Sequence, residues 1–158
     1  MSRPPVIGID PGSRKTGWGI VVPEGRRLLH VEHGIIRLDA DAAVAERMME
    51  LATRLDDVLV RHAPGSAAIE DVFVSRNPRS ALKLGQARGA ALAAVARHGL
   101  PVSSYPPATV KRAVTGSGKA QKGQVAEMVR AILSLGERPP EDAADALAVA
   151  ICHARTVR

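Results

Sequence analysis

Two short apolar runs, residues 6–9 and 67–69, each end directly at an acidic residue. Asp10 follows the first run and Glu70 follows the second. Apolar runs of this length without polar alternation are typical of strands that are buried on both faces of a sheet. If the two strands are parallel neighbours, both acids emerge at the same edge of the sheet, where open α/β sheets place their functional sites.

The order of the remaining elements predicts a mixed sheet flanked by helices. Strands at 16–22 and 28–38 form a meander, and spacings of three and four residues between apolar positions over 44–59 then predict an amphipathic helix, capped by Asp39 or Asp41. After the second buried run we expect a helix at 78–98, a strand at 101–105, and helices at 108–114, 121–135 and 141–155. This order indicates an α/β fold with a mixed five-stranded sheet. No linker or repeat divides the chain, so we expect one domain over 1–158.

The composition excludes several classes of protein. No run approaches the roughly 18 apolar residues of a membrane-spanning helix, and the first ten residues lack the apolar core of a secretory signal, so we expect a cytoplasmic protein. Cys152 is the single cysteine, which excludes an intramolecular disulfide framework. Its alanine-rich surroundings favour a buried small residue over a catalytic thiol.

Positive charge is concentrated in the middle of the chain. The formal net charge is +6, yet the 55 residues from 72 to 126 contain no Asp or Glu. Such a run is either a solvated face or a binding surface for a polyanion, and we favour nucleic-acid binding. The nine basic residues of the run are Arg76, Arg79, Lys83, Arg88, Arg97, Lys111, Arg112, Lys119 and Lys122.

Two further acids stand at the start of the last predicted helix. Asp142 and Asp145 are three residues apart and share one helix face, and the alanines around them make the helix thin enough to lie close to a sheet. The helix dipole alone favours acids in a first turn by about 0.3–1 kcal/mol, and Asp10 alone could be a turn former. Four converging carboxylates without paired His or Cys suit Mg²⁺ or Mn²⁺ rather than zinc.

Carboxylate-bound ions and a basic flank together indicate a nuclease. Two ions about 3.5–4 Å apart can activate a water and stabilise the leaving oxygen of a phosphodiester. The glycine-rich segment 12–17 does not indicate a nucleotide site, because Trp18 stands where a phosphate loop needs lysine. Segment 116–119 lacks the earlier glycine of that motif, and we expect a loop whose Lys119 meets phosphate. Phe73 either stacks on an unpaired base or packs in the core.

Four segments resemble, in order, the RuvC family of Holliday junction resolvases. They are GIDPGS at 8–13 with the following Thr-Gly at 16–17, IEDVF at 69–73, SALKLGQARG at 80–89 and DAADALA at 142–148. The resemblance implies an RNase H-like fold, a homodimer, and paired nicks in a four-way DNA junction during recombination and repair. It implies that Mg²⁺ or Mn²⁺, as two ions per site, is held by the catalytic acids Asp10, Glu70, Asp142 and Asp145.

The resemblance also implies DNA contacts and partners. The junction-contacting aromatic of the family falls on Phe73, and its DNA-contacting lysines fall on Lys111 and Lys122, with Lys119 as a nearby competitor. The basic run adds Arg76 and Lys83 as DNA-binding candidates. Family partners would be the branch-migration proteins RuvA and RuvB.

Other interpretations remain open from the sequence. Actin-like ATPases and sugar kinases also place an acid and a glycine after a first strand. They need a duplicated domain, and 158 residues provide only one copy. A related nuclease acting on precursor RNA and a non-catalytic junction-binding module are further alternatives. Apolar and small residues surround most of the predicted helix 78–98, which favours a homodimer through this helix over an internal helix in a monomer.

Overall fold

A computed structural model describes residues 3–71 and 77–157 of the chain. The expected order of strands and helices is confirmed within these residues. The strands are β1 (Val6–Asp10), β2 (Lys15–Glu24), β3 (Arg27–Arg37), β4 (Ser66–Glu70) and β5 (Val102–Tyr105). The helices are α1 (Val44–His62), α2 (Pro78–Arg97), α3 (Pro107–Thr115), α4 (Lys122–Ile132) and α5 (Glu141–Thr156).

The strands form one mixed sheet in the order β3-β2-β1-β4-β5. Strands β1, β2 and β3 pair antiparallel, whereas β4 is parallel to both β1 and β5. Ile9 lies opposite Ile69 in the β1–β4 register. Asp10 and Glu70 therefore leave the sheet at the same edge, as the two apolar runs predicted.

Each face of the sheet carries a separate apolar core. On one face α5 is the central element, with α3 and α4 packed beside it, and Leu147 and Ile151 are fully buried. On the other face lie α1 and α2, with Leu51 and Leu55 fully buried. Burial of each such side chain stabilises the fold by about 1.5–3 kcal/mol, so both helical layers are held firmly to the sheet.

Helix α5 lies very close to β1 and β2 because glycines and alanines line the contact. A Cβ atom added at Gly8 would overlap the carbonyl oxygen of Ala146, and one added at Gly17 would overlap the backbone of Asp142. A side chain at either glycine would therefore push α5 away from the sheet. The thin, alanine-rich helix expected from the sequence is confirmed.

Three of the differences from the expected element ends and caps have a local structural cause. Pro23 does not end β2, because the strand continues past it and pairs with Leu28. Neither Asp39 nor Asp41 caps α1, since its N-cap is Ala43 with no side-chain hydrogen bond, while the carboxylate of Asp39 accepts from the backbone amide of Asp41. Helix α4 stops at Ile132 rather than at residue 135, because Ser134 adopts a left-handed backbone conformation.

Cys152 and His153 both belong to the core of the α5 layer. Cys152 is fully buried, as expected, and burial raises the pKa of its thiol. His153 is also buried, and its ring nitrogens lie 3.0 Å from Ser66 Oγ and 2.7 Å from Tyr105 Oη. Burial, together with Arg3, lowers the pKa of His153. His153 therefore ties α5 to the parallel half of the sheet, through Ser66 of β4 and Tyr105 of β5. Across the described residues, no helix is both long and apolar enough to cross a membrane.

Substituting Gly8 by Ala tests the close contact between α5 and the sheet. The added methyl group would overlap backbone that cannot rotate away, so we expect a loss of about 1–3 kcal/mol in the free energy of unfolding. Gly123→Ala in α4 is the matched control, because its Cβ meets open space and alanine is the better helix former by up to about 1 kcal/mol. Urea unfolding of both variants measures the difference, and equal stabilities would contradict the close contact.

Candidate active site

Three carboxylates meet at the edge of the sheet where β1 ends. Asp10 is the last residue of β1, and Asp142 and Asp145 lie in the first turns of α5. One carboxylate oxygen from each lies within 4.8 Å of the other two, and all three residues are half-buried. The contact of α5 with Gly17 sets this distance, because it brings the start of the helix onto the end of β1.

Glu70 reaches the same cleft from the neighbouring strand. It is the last residue of β4, and it lines the cleft together with the three aspartates, outside their tight group. The guanidinium of Arg88 fixes this strand end: it donates to the backbone carbonyl of Glu70 at 2.6 Å and to Ser104 Oγ at 3.0 Å. The same guanidinium lies 3.6 Å from a carboxylate oxygen of Asp71. Arg88, a member of the basic run, therefore has a structural role here.

The acids surround a cleft of about 400 Å³. Two lysines, Lys15 and Lys111, lie on its walls, from β2 and α3 respectively. Cations beside carboxylates create a site that can hold a phosphate next to the acids. The other residues lining the cleft are Pro11, Gly12, Leu84, Pro107, Val110, Val125 and Ala148.

The turn between β1 and β2 places Lys15 in the cleft. The buried hydroxyl of Thr16 accepts from the Gly12 amide at 3.2 Å and donates to the Gly12 carbonyl at 3.3 Å. A side chain at Gly12 would overlap the backbone of Lys15, so the turn admits only glycine at this position without rearrangement. Sequence reasoning missed Lys15, although it lies in the glycine-rich segment. The clue in the sequence was that Lys15 follows the strand-end acid Asp10 across a single short turn.

The basic run is distributed over several surfaces rather than along one face. Lys111 lies in the cleft, while Lys83 on α2 and Lys119 before α4 are exposed and do not line it. Arg97 is paired with Asp56 at 2.5 Å, on the α1 side of the molecule. Part of the run therefore stabilises the fold, as Arg88 does.

Some predicted site residues fall outside the described part of the chain. Phe73 and Arg76 belong to the segment 72–76, and the side chain of Lys122 is likewise not described. Their assignment as DNA-binding residues remains a prediction.

The donor set of the cleft fits a hard divalent cation. Three carboxylates within 4.8 Å of one another repel unless a cation lies between them, and no His or Cys belongs to this group among the described residues. Oxygen-only donors are the preference of Mg²⁺ and Mn²⁺, whereas zinc favours nitrogen and sulfur. The positive end of the α5 dipole adds a favourable field for the two acids in its first turns.

Similar proteins align with this chain over nearly its full length. The RuvC protein of Acidiphilium cryptum, named crossover junction endodeoxyribonuclease, is 54% identical over 152 residues, which are 96% of this chain and 91% of that protein. The protein of the same name from Citrifermentans bemidjiense is 50% identical over 151 residues, 96% of this chain and 92% of that protein.

Solved structures share the fold. T. thermophilus RuvC in complex with Holliday junction substrate has a TM-score of 0.94 and 39% identity, with coverage of 99% of this chain and 96% of that one. The yeast mitochondrial Holliday junction resolvase Ydc2, at a TM-score of 0.66 and 14% identity, shares the fold alone. These likenesses confirm the RNase H-like α/β fold. The family model described as crossover junction endodeoxyribonuclease RuvC matches residues 6–153, so the chain belongs to this family of nucleases.

Proposed function

We propose that this chain is a structure-selective endonuclease that resolves four-way DNA junctions by paired, metal-dependent nicks in recombination and repair. The observation that carries the proposal is the convergence of Asp10, Asp142 and Asp145 in a cleft that also contains lysines. T. thermophilus RuvC, which shares the fold over the whole chain, is known in complex with a Holliday junction. A junction is the polyanion that such a cleft suits.

In this mechanism the acids hold Mg²⁺ or Mn²⁺, with two ions per site as the finer proposal. Asp10, Asp142 and Asp145 form the group close enough to share one ion, and Glu70 completes the set from β4. Such ions, when bound, polarise the scissile phosphodiester and lower the pKa of the attacking water. The protein supplies fixed carboxylates on a strand end and a helix start, which are rigid elements and keep the donor atoms in place.

The lysines orient the substrate. Lys111 and Lys15 lie on the walls of the cleft and can contact the phosphates that flank the scissile bond. We propose as further phosphate contacts, from the sequence, Lys83, Lys119, Lys122 and Arg76. Phe73 follows Glu70 by three residues, and in the proposal its ring stacks on a base at the junction centre.

A homodimer that associates through α2 would contain two active sites, one for each of the two cuts. Only one face of α2 is buried in the single chain, through Ala87 and Ala91 among others. On the other face Leu82 is 63% exposed, and Gly85 and Gly89 have open space at their Cβ positions. The second face expected from the sequence is therefore available for a like helix to approach closely, which supports an isologous dimer.

Three further elements of the proposal follow from family membership. These are a single nuclease domain over residues 1–158, a cytoplasmic location, and the branch-migration proteins RuvA and RuvB as partners.

Metal binding is tested by Mn²⁺ titration followed by thermal unfolding. Because Mn²⁺ would bind the folded protein and not the unfolded chain, Mn²⁺ at about 100 times its Kd should stabilise the protein by about 2.7 kcal/mol. Asp142→Asn should abolish most of this gain, and its stability without metal should equal or exceed that of the parent. Asp41→Asn, an exposed acid outside the cleft, is the control. Equal Mn²⁺ stabilisation of Asp142→Asn and the parent would contradict the assignment.

Catalysis is tested by nicking assays with Asp145→Asn or Glu70→Gln. Each change removes a ligand from the ions that stabilise the transition state, so we expect the single-turnover nicking rate to fall by at least about 100-fold. Junction affinity should persist or rise, because a negative charge near phosphate is lost. A mobile four-way junction, linear duplex, single strand and RNA are compared with and without Mg²⁺. Loss of binding with an unaltered turnover would overturn the site, and preferred cleavage of RNA would overturn the substrate.

The dimer is tested by sedimentation of Gly85→Glu. A charge on the exposed face of α2 should give monomers that nick junctions poorly, since one protomer supplies one site. Leu84 is a less suitable position because it lines the acidic cleft. Gly123→Glu is the matched control for the sedimentation measurement alone, since it is a helical glycine with equally open space but lies next to Lys122, a proposed DNA contact. A parent protein that is monomeric at micromolar concentration and still cuts both strands in one encounter would contradict the dimer.

A further inference from the structure

A positively charged cavity, distinct from the acidic cleft, lies at the edge of the sheet opposite the acids. Its volume is about 790 Å³, and four arginines line it: Arg3, Arg26, Arg27 and Arg155, here called the arginine cleft. Arg26 lies in the turn between β2 and β3, and Arg27 is the first residue of β3. This turn lies beyond the Val6 end of β1, since Val6 pairs with Val21. Asp10 lies at the opposite end of β1. The length of the strand therefore separates the two sites.

In the described part of the chain, no acid pairs with the arginines of the arginine cleft. Arg3 donates to the carbonyls of Ala154, at 3.0 Å, and of Val157, while Arg155 donates to the carbonyl of Ala113 at 2.6 Å. These partners are neutral groups. Within residues 3–71 and 77–157, no carboxylate lies within 4.0 Å of any of the four guanidinium groups. Four positive charges therefore remain around one cavity, and the backbone contacts hold two of them in fixed positions.

Two further cavities lie between the arginine cleft and the start of α5, and each shares lining residues with the one before it. The three together are called the trough. The next cavity, of about 890 Å³, shares Arg26, Arg27 and Arg155 and continues along β3 to His30 and past the end of α4. A third, of about 440 Å³, shares Leu135 and runs past His33, and past one acid and one base, Glu137 and Arg138, to Pro140, the N-cap of α5. The trough thus ends next to the helix turns that carry Asp142 and Asp145.

Helix geometry gives the distance between the two sites. Arg155 and Asp142 are thirteen residues apart on α5. At about 1.5 Å per residue this places the arginine cleft roughly 20 Å from the acids. Roughly six base pairs of duplex, at 3.4 Å per step, span the same distance.

We propose that the arginine cleft binds the phosphate backbone of a junction arm, about six base pairs from the nicked bond. The inference rests on the proposed function, because the arm belongs to the same substrate. An acidic protein segment would also match the charge, but the trough runs from the arginine cleft to the start of α5, along the path that a DNA strand engaged at both sites would follow. The planar guanidinium fork also matches phosphate oxygens in geometry.

The test combines a double substitution with neutral DNA linkages. Arg26→Ala with Arg27→Ala removes two exposed cations of the cleft, and Arg54→Ala with Arg61→Ala on α1 is the control of equal charge change. Neither pair belongs to the catalytic cleft. Junctions carry either natural phosphates or methylphosphonates placed about five to seven base pairs from the nick. Circular dichroism confirms that both double variants are folded.

In the parent, the methylphosphonates should weaken junction binding by about fivefold or more, and the slope of log K against log salt should flatten by about 1 to 2. In the Arg26 and Arg27 variant, binding of the natural junction should show the same loss, and the methylphosphonates should have little further effect, because the two changes act on one contact. The α1 variant should respond to them like the parent. Single-turnover nicking at saturating protein should be unchanged in both variants.

Additive effects of the arginine substitutions and the methylphosphonates would overturn the proposal. So would a variant that binds DNA like the parent but loses binding to a polyglutamate peptide, which would assign the cleft to an acidic protein partner. A parent that does not nick junctions at all would instead overturn the proposed function. The two failures are therefore distinguishable.

Discussion

The close contact between α5 and the strands β1 and β2 is the constraint on which the candidate active site depends. Gly8 and Gly17 have no side chain because backbone atoms of α5 occupy the space where a Cβ would lie. The helix is therefore held at a fixed height above the sheet, with its first turns over the end of β1. Without this contact, Asp142 and Asp145 would stand away from Asp10, and the three carboxylates could not share one cation.

The sequence predicted the elements of this site because each acid stands beside a local pattern that marks the end of a buried strand or the start of a helix. A short apolar run that ends in acid is a buried strand end, and two acids three residues apart after prolines are a helix start. Parallel pairing of β1 and β4 then brings Asp10 and Glu70 to one edge. The fold class, the strand order along the chain and the core position of Cys152 were predictable for the same reason, since burial leaves a local apolar signature.

What could not be predicted depends on contacts between residues distant in sequence. Arg88 looks like any other member of the basic run, and only its bonds to the Glu70 carbonyl and Ser104 show that it fixes a strand end. Lys15 lies in the cleft because of the turn that Thr16 closes. The exact ends of α1 and α4 were missed because they depend on backbone geometry at single residues, such as the left-handed Ser134.

The distribution of charge follows from the mixed topology of the sheet. The parallel neighbours β1 and β4 bring carboxylates together at one edge, where their mutual repulsion favours a bound cation. The antiparallel β2–β3 turn lies at the opposite edge, and there Arg26 and Arg27 meet Arg3 and Arg155 from the two ends of the described chain. Helix α5 spans both edges and carries acids at its start and Arg155 at its end. The acids lie at the positive end of the helix dipole and Arg155 lies at its negative end, so both placements are favourable. One helix thus places a group of acids and an arginine cluster at a fixed separation, which is the geometry that the proposed two-point contact with a long polyanion requires.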